Sequence, residues 1–138
     1  MTDTQQPLSG GFHHLALKVA DFDATVKFYT EALGLVPTIS WGEGDTRAIM
    51  LDAGQGNCLE IFAGGTPGAK PEGALLHFAF RAHDCAAALQ RALDAGATLH
   101  MPPTELTIPS SPTPTPVRIS FCIGLDGEII EFFESAAG

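Results

Sequence analysis

Residues 14–19 alternate in kind, with His14, Ala16 and Lys18 at one parity and Leu15, Leu17 and Val19 at the other. That is the period of a strand with one apolar face. Residues 76–81 repeat it, His77, Ala79 and Arg81 opposing Leu76, Phe78 and Phe80. An acid follows each run, Asp21 or Asp84, placed to cap a helix by accepting from free backbone N–H groups. Gly34 and Gly96 then stand where a left-handed residue ends each helix. At an offset of 63 residues, His14 falls on His77, Ala16 on Ala79, Lys18 on Arg81, Asp21 on Asp84, Ala24 on Ala87 and Ala32 on Ala95. The ends of the two halves also match, at an offset of 71, where residues 56–62 lie over 127–133 and Glu60 over Glu131. Between helix and final strand each half holds two further strand-like runs, 38–41 and 47–52 in the first and 98–101 and 117–123 in the second.

The order is therefore β-α-β-β-β twice, an α+β plan. The chain reads as one domain, 1–138, with module one at about 12–63 and module two at about 75–134. The extra length of the second half is residues 102–116, whose six prolines cannot donate to a strand ladder. That stretch reads as a loop, either a surface connection or a flap over a pocket.

A content of 45% hydrophobic and 17% charged residues is that of a folded chain. Seven basic against sixteen acidic side chains, a net charge of −9, argue against binding to a nucleic-acid backbone. There is no run apolar enough for a membrane span, and residues 1–6 lack the basic start and apolar core of a signal peptide. Cys58, Cys85 and Cys122 are odd in number and lack CxxC spacing, so neither a disulfide framework nor a zinc finger is expected. A cytoplasmic location fits, with Cys58 and Cys122 as buried, inert thiols.

The repeat carries the chemistry. A glutamate inside a run of Leu, Ile and Phe is costly to bury unless something offsets its charge. Two such acids, Glu60 and Glu131, occur at equivalent places, and so do two strand histidines, His14 and His77. Each alone is ordinary; together they make a candidate site for a divalent metal, if leading and closing strands of the two modules lie side by side. His13 has the opposite parity to His14 and reads as a packing or edge residue, while His83 and His100 read as structural or solvated.

Residues 14–21, His-Leu-Ala-Leu-Lys-Val-Ala-Asp, followed by 27–35, Lys-Phe-Tyr-Thr-Glu-Ala-Leu-Gly-Leu, resemble the opening of the vicinal oxygen chelate superfamily. Residues 125–132, Leu-Asp-Gly-Glu-Ile-Ile-Glu-Phe, resemble its closing strand. Glyoxalase I, methylmalonyl-CoA epimerase, extradiol dioxygenases, fosfomycin-resistance transferases and bleomycin-resistance proteins belong to that superfamily. The resemblance implies two pseudo-symmetric βαβββ modules forming a curved mixed sheet around a metal-binding cavity. It maps the family's metal ligands onto His14, Glu60, His77 and Glu131. This set is similar to that of glyoxalase I, whereas extradiol dioxygenases use two histidines and one carboxylate.

The resemblance further implies a metal-dependent isomerase or lyase of glyoxalase type. Its substrate would be a small molecule with vicinal oxygens, reacting through a metal-stabilised enediolate. Glu131 is the expected base, with Glu60 second. The ion could be nickel, zinc, cobalt, manganese or iron, since all accept nitrogen and oxygen ligands. Substrate contacts are expected from Lys18, Phe62, Arg81 and Phe133, with Arg118, Ser120 and Cys122 as the polar face of their strand. The arginine that glyoxalase I often carries before its first ligand is replaced here by residues 9–12, Ser-Gly-Gly-Phe, which counts against glutathione as substrate. An iron-dependent extradiol dioxygenase and a non-catalytic small-molecule binder are the alternatives on the same fold. Small members of the superfamily form homodimers, some sharing a metal site between chains.

Overall fold

The computed structural model describes residues 11–71 and 73–135. Strand β1 (His14–Lys18) leads into helix α1 (Phe22–Lys27), which widens into a π-helical turn over Phe28–Ala32. Strands β2 (Val36–Trp41), β3 (Ala48–Asp52) and β4 (Cys58–Phe62) complete module one. Module two repeats the order with β5 (Phe78–Arg81), α2 (Cys85–Asp94), β6 (Thr98–Ile108), β7 (Thr115–Ile123) and β8 (Ile129–Ser135).

The helix ends follow the sequence reading. Asp21 accepts from the backbone N–H of Ala24, and Asp84 from those of Ala86 and Ala87. Gly34 and Gly96 adopt φ of 79° and 108°, conformations that side chains rarely take.

The strands form two four-stranded mixed sheets, ordered β1-β4-β3-β2 and β5-β8-β7-β6. In each, the first and last strands of the module run parallel, with Ala16 beside Glu60 and Ala79 beside Glu131. The strands of each module hydrogen-bond within that module. Among the described residues β1 pairs only with β4 and β5 only with β8.

What joins the modules is the core. Leu15, Leu17, Leu59 and Ile61 from the first sheet pack in the same cluster as Cys122, Ile130 and Phe132 from the second. Phe28, Tyr29, Ala32, Cys85, Leu89 and Ala92 from the helical segments fill that cluster. A polar clasp crosses the same boundary. Asp126 accepts from the Ala20 N–H at 3.0 Å and sits 3.2 Å from the Lys70 ammonium. The fully buried Tyr29 donates its hydroxyl to Glu128 at 2.5 Å. Burial, and then the Glu128 charge, push the Tyr29 hydroxyl well above its ordinary pKa, so it stays a donor.

The proline-rich stretch departs from the loop expected at 102–116. Only residues 109–114 lie between strands; Pro102 and Pro103 fall within β6 and Pro116 within β7. β6 is a sheet edge, where a missing N–H can face outward, and its register shifts on both sides of Met101. Pro116 pairs with Thr107 at the start of β7, before pairing with β8 begins at Val117.

Candidate functional site

Each sheet presents one face to the helices and leaves the other open. In module one, β1 carries His14 at its first position, on the open face, and the parallel β4 carries Glu60 on that face. His14 Nε2 stands 3.4 Å from Glu60 Oε1. In module two His77 lies one residue ahead of β5, and its Nε2 stands 3.0 Å from Glu131 Oε1. Both histidine side chains remain well exposed, at 40% and 37%, while both carboxylates are covered, at 12% and 10%. The residues across the ladder help cover them: Met50 of β3 lies opposite Glu60, and Phe121 of β7 opposite Glu131. The Phe121 ring also stands edge-on to His77, with centroids 5.3 Å apart.

A carboxylate taken this far out of water needs a compensating charge. A cation held between imidazole and carboxylate supplies one. The pair distances suit that. Two donors about 2.1 Å from one ion and at right angles to each other stand about 3 Å apart. Both pairs therefore fit as half of a first shell for a divalent metal.

The four side chains do not meet as one group within the chain. Among the described residues, no three His, Cys, Asp or Glu side chains cluster closely enough to hold a metal ion. Convergence of all four needed the two halves to pack as pseudo-symmetric units with leading and closing strands adjacent; those strands are adjacent within each module, and among the described residues no pairing joins one module's sheet to the other. Two surface clefts, of about 410 and 330 Å³, touch none of the four residues; Arg118 lines the first and Arg81 the second.

Around the pairs the open faces are largely apolar. Trp41 packs edge-on against Phe62 at 6.2 Å beside the first pair. Phe133 lies on the face of Glu131, opposite Ile119 of β7. Lys18 and Arg81 have the parity of the open faces, and neither forms an ion pair or side-chain hydrogen bond among the described residues.

Arg118, expected at the substrate, is on the other face. Its guanidinium stands 3.8 Å from Asp84 and 3.9 Å from Glu134, next to the start of α2. Ser120 and Cys122 share that face: Ser120 is fully buried and donates to the Cys85 carbonyl, and Cys122 lies in the core. Burial, with the Glu128 charge, pushes the Cys122 thiol up to about 12. The Cys85 thiol is also raised, mainly by burial. Cys58 is only half-buried rather than enclosed. The reason for the inversion is that β7 turns its apolar parity, Ile119, Phe121 and Ile123, toward the site. Its small polar side chains serve the helix instead, so polarity alone misassigned the face.

Sequence reasoning passed over Trp41, Met50 and Phe121, and it read His13 as a packing or edge residue on the face opposite His14. The repeat held a signal for two of them, because Met50 and Phe121 occupy the same ladder position relative to Glu60 and Glu131. His13 precedes β1, and its Nδ1 lies 2.9 Å from His14 Nδ1.

The model of one protein family, described as the Glyoxalase/Bleomycin resistance protein/Dioxygenase superfamily, matches residues 11–110. Among curated proteins no sequence matches. Solved structures of similar fold include a glyoxalase family protein from Enterococcus faecalis, 24% identical over 91% of this chain and 98% of that one, with a TM-score of 0.69. They also include TnmS3, an antibiotic binding protein from Streptomyces sp. CB03234, 17% identical over 95% and 100%, with a TM-score of 0.68. The fosfomycin resistance protein FosX from Listeria monocytogenes is 16% identical over 94% and 96%, with a TM-score of 0.67.

Proposed function

The chain belongs to the Glyoxalase/Bleomycin resistance protein/Dioxygenase superfamily, and from that membership we propose a metal-dependent isomerase or lyase of glyoxalase type, acting on a small substrate with vicinal oxygens. One observation carries this reading. A covered glutamate with a histidine at its carboxylate recurs at matched positions in both modules. Chance packing of solvated strand residues gives no reason for the recurrence.

The complete centre is assembled by a homodimer. The histidines lie at or beside β1 and β5, sheet edges that among the described residues have no partner strand on their outer side. Unpaired edges of this kind are where a second chain adds. A two-fold axis that sets β1 of one copy beside β5 of the other does so twice, because an isologous contact is reciprocal. Each of the two resulting centres then holds His14 and Glu60 from one chain and His77 and Glu131 from the other.

His14, Glu60, His77 and Glu131 would hold a divalent ion, which would supply Lewis-acid polarisation of the substrate oxygens. The chain's own residues supply the rest. Glu131 moves the proton between neighbouring substrate carbons, with Glu60 as the second candidate. Trp41, Phe62, Phe121 and Phe133 form apolar walls that orient the substrate and exclude water. Lys18 and Arg81, which have no acidic partner among the described residues, anchor an anionic group at the rim.

Elemental analysis of untagged protein, combined with its mass in solution, tests this reading. It expects a dimer with one divalent ion per chain. A metal-free protein after growth in replete medium refutes it and favours a non-catalytic binder, for which the exposed Trp41 against Phe62 is suited to a planar ligand. Oxygen uptake with a catechol would favour a ring-cleaving dioxygenase instead; four protein ligands, Glu60 among them, count against that.

A further inference from the structure

We propose that His13 is a positioning residue for His14, holding its imidazole in the tautomer and orientation that a metal ligand needs. This rests on the metal centre proposed above. His14 turns Nε2 toward Glu60 and Nδ1 toward His13, whose own Nδ1 lies 2.9 Å away. An imidazole that gives its Nε2 lone pair to a cation must carry its proton on Nδ1. That proton needs an acceptor, and the only atom in hydrogen-bond contact with His14 Nδ1 among the described residues is His13 Nδ1.

The geometry is built rather than incidental. Neighbouring residues in a strand point to opposite faces, which would separate these two rings. His13 stands just outside β1, and its carbonyl accepts from the Cys58 N–H at 3.0 Å, tying its backbone to the start of β4. Although the backbone there is held beside β4, the His13 ring meets His14 edge-on, with centroids 5.1 Å apart. Module two has no counterpart: the residue ahead of His77 is Leu76, exposed and unable to accept. His77 is braced by the Phe121 ring instead. The two halves of the centre are thus supported differently, one by a hydrogen bond and one by packing.

Cobalt titration of the metal-free protein, followed by visible absorption, tests this with no need of a substrate. Replacing the partner that orients a metal-bound histidine weakens metal affinity about 10–100-fold, and His13→Ala should do so. In His13→Asn the amide oxygen stands one bond from Cγ, as Nδ1 does, so affinity should recover. In His13→Gln the oxygen lies one bond farther out and should not restore it. In zinc-loaded wild type, long-range nitrogen–proton spectra should place the His14 proton on Nδ1, protected from exchange, with that protection lost in His13→Ala. Wild-type binding with equal affinity in His13→Ala, or a His14 proton on Nε2, overturns the role of His13 alone. Failure of the wild type to bind any divalent ion overturns both it and the proposed function.

Discussion

Subunit mixing separates a centre shared between chains from one enclosed within a chain. The perturbation is a pair of variants, His14→Ala and His77→Ala, each prepared alone and then unfolded and refolded together in equal amounts. Alone, each variant damages every centre, because a dimer of identical chains lacks the same histidine at both. Loss of a ligand should cost more than the roughly 10–100-fold that follows replacing the hydrogen-bond partner of a metal-bound histidine. In a mixed dimer the losses fall unevenly. One centre draws His14 from the His14→Ala chain and His77 from the His77→Ala chain, and so lacks both. The other draws its residues from the two intact modules and holds all four ligands. Random reassociation makes about half of the dimers mixed, and each restores one centre of two, so about a quarter of wild-type centres should return. The readouts are bound metal at limiting free ion and, once a substrate is known, turnover. A refolded mixture no better than the average of the two single variants would refute the shared centre, since an enclosed site cannot be repaired by a neighbour.

Other expectations follow from individual groups. Glu131→Gln keeps an oxygen donor but cannot take a proton, so turnover should fall at least about 100-fold while metal content, measured in parallel, stays high; near-normal turnover with full metal would remove Glu131 from the base role. Tyr29→Phe deletes the donor to Glu128 across the module boundary, and urea unfolding should register a loss of about 1.5–3 kcal/mol. A thiol reagent at pH 8 should modify Cys58 in the folded protein and reach Cys85 and Cys122 only after denaturation. The Cys122 thiol, raised to about 12 from an ordinary 9.0, also fixes a pH dependence. Its contribution to stability is complete below pH 9 and is lost as pH rises toward 12, because the unfolded thiol ionises first. Replacing Cys122 by Val should flatten that alkaline decline in denaturation curves collected between pH 8 and 11.

The sequence by itself determined what depends on near neighbours. Alternation set the β1 and β5 faces, Asp21 and Asp84 marked the helix starts, and Gly34 and Gly96 marked the ends. The repeat also marked His14, Glu60, His77 and Glu131 as one matched set, but their division into a His14–Glu60 pair and a His77–Glu131 pair came from each module running its first and last strands in parallel. Tertiary structure decided the rest. The modules join through apolar side chains of both sheets packed around the helical segments, and nonspecific burial of that kind leaves no local signature of how two sheets are placed. For that reason the His–Glu pairs lie apart in one chain although the duplication suggests a single quartet. The same cause misled the reading of β7. Both of its faces are substantially covered, so a polar side chain such as Ser120 finds its partner in a helix carbonyl while Ile119 and Phe121 line the open side. It misled the proline stretch as well, since a proline is tolerated in a strand that the sheet leaves at its edge, and being an edge is a property of the assembled ladder rather than of any residue in it.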